Sequence, residues 1–137
     1  MITLTLPYPV SANRYWRHAR NTTYLSPEAD QYRLHVASAC LLARITEPLV
    51  GLLELHLVLR PRLPANHLKR ERKEGATWWH EGVQCMDLDN CQKVALDAMQ
   101  DFVYGNDSQF RRIVMDYGYP VPNGALSVTA MQWREVV

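Results

Sequence analysis

The sequence is short of several features that mark particular classes of protein. It has only three cysteines, Cys40, Cys85 and Cys91, and an odd number of thiols in 137 residues argues against a disulfide framework and for reduced thiols. The Cys85 to Cys91 spacing matches no familiar zinc-binding knuckle. No apolar run approaches the roughly 18 residues that span a bilayer, and no basic segment precedes an apolar stretch, so we expect a soluble, unexported protein.

The sequence also lacks a strong net charge. Fifteen lysines and arginines face 14 aspartates and glutamates, which leaves a formal charge of +1. No overall field therefore recruits nucleic acid or an anionic membrane, and any such binding depends on local patches. Nucleophilic triads, glycine-rich phosphate loops and Cys/His zinc motifs are missing as well. The remaining composition, 47% hydrophobic and 21% charged, is typical of one globular domain, and we expect residues 1–137 to form it.

Alternating and helical patterns predict the first half of the fold. Residues 2–6 alternate apolar side chains with threonines, which predicts a strand. Ser26 and Pro27 have the chemistry of a helix N-cap and of a first helical position, so we predict a helix from about 27 to 45. Leucines at every second position predict another strand over 51–60.

The second half predicts one more helix and two more strands. Apolar residues at helical spacing favour a helix from about 88 to 103. Residues 113–117 and 126–130 alternate, and Pro122-Asn123-Gly124 between them is a turn signal, so we predict an antiparallel hairpin. The order β-α-β-α-β-β makes the fold class α+β, with a small mixed sheet and two main helices.

Residues 61–86 form an unusually long connection. They contain a charged run, 69–74, followed by Trp78, Trp79 and His80. A connection of this length is functional, mobile or contains a short element. The charged run also fits a solvated helix face. The tryptophans could stack on bases or pack in the core, and packing is the interpretation we favour.

Carboxylates gather where the second predicted helix begins. Asp87 and Asp89 lie two residues apart and can point to one side, and Lys93 follows one helical turn later on the same face. Asp107 lies beyond the helix and could fold back toward Asp87 only if the next strand pairs beside the first carboxylates. Oxygen ligands of this kind suit a hard divalent cation such as Mg²⁺. The alternative is that the first two aspartates simply cap the helix.

A strip of basic and aromatic residues, 13–20, is the second candidate site. It holds three arginines, two aromatic residues and a histidine in eight positions. Arginines grip phosphates through paired donors and aromatic rings stack on bases, which favours a nucleic-acid contact, with an ordinary solvated loop as the alternative. The candidates for DNA contact are Asn13, Arg14, Tyr15, Arg17 and Arg20.

These motifs, taken in order, resemble a known family. The blocks that carry the resemblance are Ser11-Ala12-Asn13-Arg14-Tyr15-Trp16-Arg17-His18, Asp87-Leu88-Asp89-Asn90-Cys91-Gln92-Lys93, Leu96-Asp97-Ala98-Met99 and Asn106-Asp107-Ser108-Gln109. Together they resemble the RusA family of Holliday junction resolvases, small metal-dependent endonucleases of bacteria and their prophages. The chain departs from the family pattern in its long 61–86 connection and in Asn106, where the family often has an acid.

The resemblance implies a site and a mechanism. Asp87, Asp89 and Asp107 would be ligands of Mg²⁺, for which Mn²⁺ would substitute, and Lys93 would lie at the scissile phosphate. Family members act as homodimers whose two sites cut a four-way DNA junction by paired symmetric nicks in recombination and repair, leaving 5′ phosphate and 3′ hydroxyl ends. The long connection departs from the family pattern, and it either supplies further positive charge for DNA binding or changes which DNA is bound; its basic residues are Lys69, Arg70, Arg72 and Lys73.

We therefore expect a homodimeric, Mg²⁺-dependent endonuclease for branched DNA, with no membrane partner. The reduced thiols favour the cytoplasm, and the resemblance implies a bacterial, phage or prophage source. One alternative is a phage accessory protein that binds branched DNA without cutting it, against which the three carboxylates and the lysine argue. A related nuclease that acts on flaps or on RNA also stays open, because the motifs specify metal chemistry more tightly than substrate shape.

Overall fold

The computed structural model describes residues 1–135, which form a mixed four-stranded sheet with two long helices against its buried face. In chain order the elements are β1 (Ile2–Leu6), α1 (Ala12–Tyr15), β2 (Trp16–Ala19), β3 (Thr22–Leu25), α2 (Pro27–Leu42), β4 (Leu53–Arg60), α3 (His67–Glu74), α4 (Leu88–Met99), β5 (Phe110–Tyr117) and β6 (Ala125–Gln132). The predicted α+β class with a small mixed sheet is confirmed. Within residues 1–135, no helix is both long and apolar enough to cross a membrane.

Strand β4 lies at the centre of the sheet, whose strand order is β1-β6-β4-β5. Its four leucines, at every second position from Leu53 to Leu59, are completely buried. β6 pairs antiparallel with both β1 and β4, whereas β5 pairs parallel with β4. A parallel pair requires a crossover connection, and α4 is the helix in that crossover. Strands β4 and β5 therefore begin at the same end of the sheet, and α4 begins at the opposite end.

The predicted antiparallel hairpin of the last two strands is wrong. β5 and β6 flank β4 on opposite sides, and the segment between them crosses the end of β4. There the Gly118 N–H donates to the Leu59 carbonyl at 2.9 Å, and the Val121 N–H donates to the Pro61 carbonyl at 3.1 Å. Alternation locates a strand but does not identify its partner. This arrangement pairs both backbone edges of β4, the most deeply buried strand, where an unpaired edge would be most costly.

Helix α2 begins where the sequence predicts. Ser26 is its N-cap, with the side-chain oxygen accepting the Ala29 N–H at 3.1 Å, and Pro27 takes the first helical position. The helix ends at Leu42 rather than near residue 45. The buried residues of α2 face the sheet and α4; they are Ala29, Tyr32, Val36 and Cys40.

Helix α4 is the amphipathic helix that the apolar spacing predicts. Its buried residues are Cys91, Val94, Ala95, Ala98 and Met99. It ends at Met99 rather than near 103, because Asp101 adopts a left-handed conformation with φ +71°. The N–H groups of Phe102 and Val103 both donate to the Met99 carbonyl, at 3.1 and 2.9 Å. This turn keeps Val103 in the core.

The strip of residues 13–20 folds into α1 and the first strand of a small hairpin, β2–β3, which the sequence did not predict. The hairpin turns at Arg20 and Asn21, whose φ angles are +42° and +65°. Two-residue hairpin turns of this kind require positive φ at both positions and favour glycine, so a turn built from Arg and Asn gives only a weak sequence signal. The strip is therefore ordered and not an irregular loop.

The long connection contains helix α3, as its length suggested. No residue of α3 is buried, which fits the solvated charged face, and the helix ends at Gly75 with φ +80°. Trp78, which follows, is 2% exposed, and its indole N–H donates to the Tyr119 hydroxyl at 3.2 Å. The packing interpretation is confirmed for Trp78.

Candidate functional site

The start of α4 presents two free carboxylates and one lysine. Asp87 is the N-cap residue, in an extended conformation, yet its side chain makes no capping hydrogen bond, and Asp89 lies in the first turn. The side chains of Asp87, Asp89 and Lys93 are exposed, and none of them forms a salt bridge within residues 1–135. The capping alternative therefore does not account for the Asp87 carboxylate, whose oxygens remain available as ligands for a hard cation.

Two tyrosines hold the peptide that precedes these carboxylates. The Met86 N–H donates to the Tyr8 hydroxyl at 2.8 Å, and the Tyr117 hydroxyl donates to the Met86 carbonyl at 2.9 Å. Burial raises the pKa of Tyr8 to about 12, so this phenol stays neutral at physiological pH. Burial also raises the pKa of Tyr117, and the nearby negative charge of Asp87 acts in the same direction. Sequence reasoning missed both residues, because a lone tyrosine carries no periodic or motif signal.

Asp107 lies at the other end of α4. It opens a single 3₁₀ turn, Asp107–Gln109, in which Asn106 and Gln109 form a capping box. The Gln109 side chain donates to the carbonyls of Leu49 and Gly51, at 3.0 and 2.9 Å, which fixes this turn beside the segment that leads into β4. Burial raises the pKa of Tyr104 to about 12, and the charge of Asp107 adds to that shift. Asp107 is thus a neighbour of the end of α4.

The condition for Asp107 to fold back toward Asp87, a next strand that pairs beside the first carboxylates, is not met within one chain. Helix α4 has 12 residues, which corresponds to a length of about 18 Å. The parallel pairing of β4 and β5 puts the start of β5, and Asp107 with it, at the far end of that helix. Across residues 1–135, no three His, Cys, Asp or Glu side chains are grouped closely enough to hold a metal ion. A single chain brings together Asp87 and Asp89 but not the third predicted ligand.

The basic strip is exposed except at Tyr15, which is buried, and at Trp16, which is half-buried. Asn13, Arg14, Arg17 and Arg20 are exposed, and Arg17 approaches Glu28 at 3.7 Å. Tyr15 is completely buried, so its predicted contact with DNA is wrong. The Tyr15 ring lies on the inner side of α1, and its hydroxyl donates to the Asp97 carboxylate on α4.

Asp97 joins the strip to both long helices. The Asp97 carboxylate accepts the Tyr15 hydroxyl. The Arg33 guanidinium donates to the Asp97 backbone carbonyl at 2.8 Å and lies 3.5 Å from the Asp97 carboxylate. A second link runs from the Ala12 N–H to the Asn90 side-chain oxygen at 2.8 Å. These bonds fix the strip against the first three turns of α4, beside the two free carboxylates.

The basic residues of α3 form a second positive surface. Lys69, Arg72 and Lys73 are exposed on this helix. Arg70 instead lies over the Trp78 ring, with its guanidinium carbon 5.5 Å from the ring centroid. Arg70 of α3 and Arg14 of the strip line one cleft together with residues 82–86, the segment that leads into α4.

Comparison with known proteins identifies the family. The family model described as endodeoxyribonuclease RusA matches residues 7–129. The chain belongs to the RusA family. The resemblance seen in the motifs is therefore confirmed, and every candidate residue lies inside the matched range.

Individual members of the RusA family match most of the chain. A protein of Escherichia coli O139:H28 (strain E24377A / ETEC), named crossover junction endodeoxyribonuclease RusA, is 32% identical over 114 residues, which is 83% of this chain and 77% of that protein. The proteins of the same name from Escherichia coli strain K12 and from Enterobacteria phage 82 are 34% and 33% identical over 96 residues, 70% of this chain and 64% of each relative. The chain thus spans slightly under two thirds of the length of these two relatives.

Proposed function

We propose that this chain is a Mg²⁺-dependent, structure-specific endonuclease that resolves four-way DNA junctions by paired symmetric nicks, in recombination and repair. The observation that carries the proposal is the pair of free carboxylates, Asp87 and Asp89, at the start of α4 in a chain of the RusA family. The names of its relatives support the reaction, since they are called crossover junction endodeoxyribonucleases. Residues 1–137 act in this proposal as one endonuclease domain in the bacterial cytoplasm.

The side chains at the start of α4 fit a hard divalent cation. Asp87 and Asp89 supply carboxylate oxygens, the ligand type that Mg²⁺ prefers, and Mn²⁺ accepts the same donors. When bound, such an ion lowers the pKa of a coordinated water and offsets the charge of a phosphodiester. Lys93, one turn further along the exposed side of the helix, holds a positive charge toward the scissile phosphate. Tyr8 and Tyr117 fix the peptide before Asp87 and so orient its carboxylate.

The proposed enzyme is a homodimer, because two symmetric nicks require two equivalent sites. Asp107 lies about one helix length from Asp87 in its own chain, since α4 is about 18 Å long. Its role as a third ligand therefore requires that it serve the site of the other subunit. Each site would then combine Asp87, Asp89 and Lys93 of one chain with the Asp107 carboxylate of the second.

DNA contacts are assigned to the two basic surfaces beside the site. Asn13 and Arg14 on α1, and Arg17 and Arg20 on the hairpin, form the first of these surfaces. The second consists of the basic residues of α3, which are Lys69, Arg70, Arg72 and Lys73. Contacts of this kind neutralise phosphates, so junction binding should weaken steeply as salt rises.

The experiment uses a labelled four-way junction incubated with the protein and Mg²⁺, beside an EDTA control. Asp89→Asn should abolish the paired nicks and leave junction binding intact, whereas the matched variant Asp30→Asn, an exposed aspartate on α2, should cut like the original chain. Full cleavage by Asp89→Asn would remove this residue from the ligand set. Junction binding without cleavage by the unaltered chain in Mg²⁺ or Mn²⁺ would indicate a binding protein and not a nuclease.

A further inference from the structure

A cleft of about 620 Å³ lies between the segment after β1 and the long connection. Three arginines line it, Arg14 from α1, Arg62 from the segment after β4, and Arg70 from α3. The lining residues include neither Asp nor Glu. Within residues 1–135 none of the three guanidinium groups forms a salt bridge. The cleft is therefore a concave site lined by three arginines and no carboxylate, which favours an anionic ligand.

Two of these guanidinium groups are held in place by aromatic rings. The guanidinium carbon of Arg62 lies 5.6 Å from the centroid of Tyr8, and that of Arg70 lies 5.5 Å from the centroid of Trp78. Stacking on a ring fixes the plane of a guanidinium while leaving its N–H edge free. Such an edge matches two phosphate oxygens, so both arginines are preorganised for a phosphate group.

Gly82 makes room for Arg70. Its φ is +78°, and a Cβ built at this position would lie 2.8 Å from the Arg70 Nη2. A side chain at residue 82 would therefore displace the guanidinium, in addition to straining the backbone. The Arg70 Nη2 also lies 3.5 Å from the Glu81 carbonyl. The turn before the carboxylates thus fits the position that Arg70 occupies.

The cleft leads directly to the candidate nuclease site. Cys85 and Met86 line it, and Asp87 is the next residue in the chain. Tyr8 belongs to both places, since its ring carries Arg62 and its hydroxyl accepts the Met86 N–H. A ligand in the cleft would consequently lie beside the carboxylates and would share the residues that fix them.

We propose that this cleft is a subsite for one DNA nucleotide that has left the duplex at the branch point, with its phosphate held between Arg62 and Arg70. The inference rests on the proposed function, which supplies DNA as the ligand. The volume lies in the range of roughly 300 to 1,000 Å³ that small-ligand pockets occupy, which suits one or two nucleotides and not a length of duplex. Apolar lining at Val10, Pro64 and Val83 can accept the sugar and base.

The first test follows the nucleotide itself. A four-way junction carrying 2-aminopurine at the branch point is titrated with protein in EDTA, so that no cleavage occurs, and unstacking of the base raises its fluorescence. The unaltered chain should give this rise, and the double variant Arg62→Gln with Arg70→Gln should lose it. The control Arg134→Gln, an exposed arginine after β6, should keep it. Retention of the full rise by the double variant would overturn the proposal, as would an equal loss in the control.

The second test measures the phosphate contact. A single-strand phosphate contact contributes about 0.7 to the slope of log binding constant against log salt, so the double variant should lower the slope for the junction by about that amount. Gly82→Ala, which leaves all charges in place, should lower it in the same direction by displacing Arg70. An unchanged slope in the double variant would overturn the proposal, and circular dichroism checks that each variant is folded.

A third test uses a small probe, 5′-phosphorylated thymidine trinucleotide. Because Trp78 lies against Arg70, the trinucleotide should change tryptophan fluorescence saturably in the unaltered chain, and the double variant should lose this change. A short blunt duplex at the same phosphate concentration should leave the signal unchanged, and an equal response to it would overturn the single-nucleotide assignment. Trinucleotide binding is measured without metal and is therefore independent of cleavage. A chain that changes its fluorescence but does not cleave junctions would contradict the nuclease proposal alone. A chain that cleaves junctions, but whose double variant shows the full fluorescence change, would contradict the subsite alone.

Discussion

The position of Asp107 leads to a prediction about subunit mixing. Asp87→Asn and Asp107→Asn each remove one proposed ligand and should each be inactive as a homodimer. If Asp107 serves the opposite subunit, a mixed dimer has one site with both substitutions and one site with neither. If it serves its own subunit, both sites of the mixed dimer carry a substitution. Mixing the two inactive proteins should therefore restore cleavage only when the site is shared.

The expected magnitude follows from α4 and from dimer statistics. Ligands of one Mg²⁺ lie about 2.1 Å from the ion, whereas the helix that separates Asp87 from Asp107 is about 18 Å long, so one ion cannot bind both carboxylates of one chain. Random exchange of equal amounts gives about half of the dimers as mixed dimers. Each mixed dimer has one intact site, so about a quarter of all sites should be active, and each junction should be nicked on one strand without being resolved.

The assay is single-turnover cleavage of a labelled junction with Mg²⁺, after the two proteins have been mixed and allowed to exchange subunits. Denaturing gels detect the single nick, and native gels show whether the junction remains joined. Mixing Asp87→Asn with Asp89→Asn is the matched control, because these residues lie on the same chain segment and no combination restores a site. Absence of recovered nicking, in mixtures where mixed dimers are demonstrated by a tag, would refute a shared site.

Three further predictions test the surroundings of the site. Tyr117→Phe removes one hydrogen bond to the Met86 carbonyl, which contributes about 0.5 to 1.5 kcal/mol. This variant should cleave up to about tenfold more slowly in single-turnover assays, with unchanged junction binding. The exposed Tyr24→Phe is its control, and an equal cleavage rate for both variants would contradict the positioning role of Tyr117. Burial raises the pKa of Cys91 and of Tyr8 to about 12, above their values in the unfolded chain. Between about pH 9 and 12 the folded state therefore keeps protons that the unfolded state loses, and the urea midpoint of unfolding should decrease as the pH rises. A midpoint that increases over this range would contradict the burial of these groups. Leu57→Ala leaves a cavity in the core beside β4 and should lower the free energy of unfolding by about 2 to 5 kcal/mol. Leu52→Ala, at a position 40% exposed, should lower it far less in the same urea titration.

Local patterns predicted the four strands of the main sheet and the two long helices, but not α1, the β2–β3 hairpin or every pairing between the strands. The strands and the two long helices follow from alternation, helical spacing and the Ser26-Pro27 start, which are properties of neighbouring residues. The partner of β5 depends on which backbone edge of β4 remains open, a property of the whole sheet. The turn signal at Pro122-Asn123-Gly124 is real, but it ends a connection across β4 rather than a hairpin.

The same distinction applies to the candidate site. Asp87, Asp89 and Lys93 were recognisable because they lie within two turns of one helix. Asp107 was misplaced because its distance from them depends on the parallel pairing of β5. Arg62 was missed altogether, since neither periodicity nor motif marks it, and only the fold brings it to the cleft with Arg70.

The contacts around Asp87 indicate why its carboxylate is free. An aspartate that merely capped α4 would accept one of the first backbone N–H groups of the helix, yet the Asp87 side chain makes no such bond. Other segments fix the backbone there, since Tyr8 and Tyr117 hold the Met86 peptide and the Asn90 side chain binds the Ala12 N–H. The backbone position is thus set by two distant parts of the chain, residues 8–12 and Tyr117, and the carboxylate is left to bind something outside the chain. This combination of an anchored peptide and an unused side chain is the arrangement that a preorganised ligand requires.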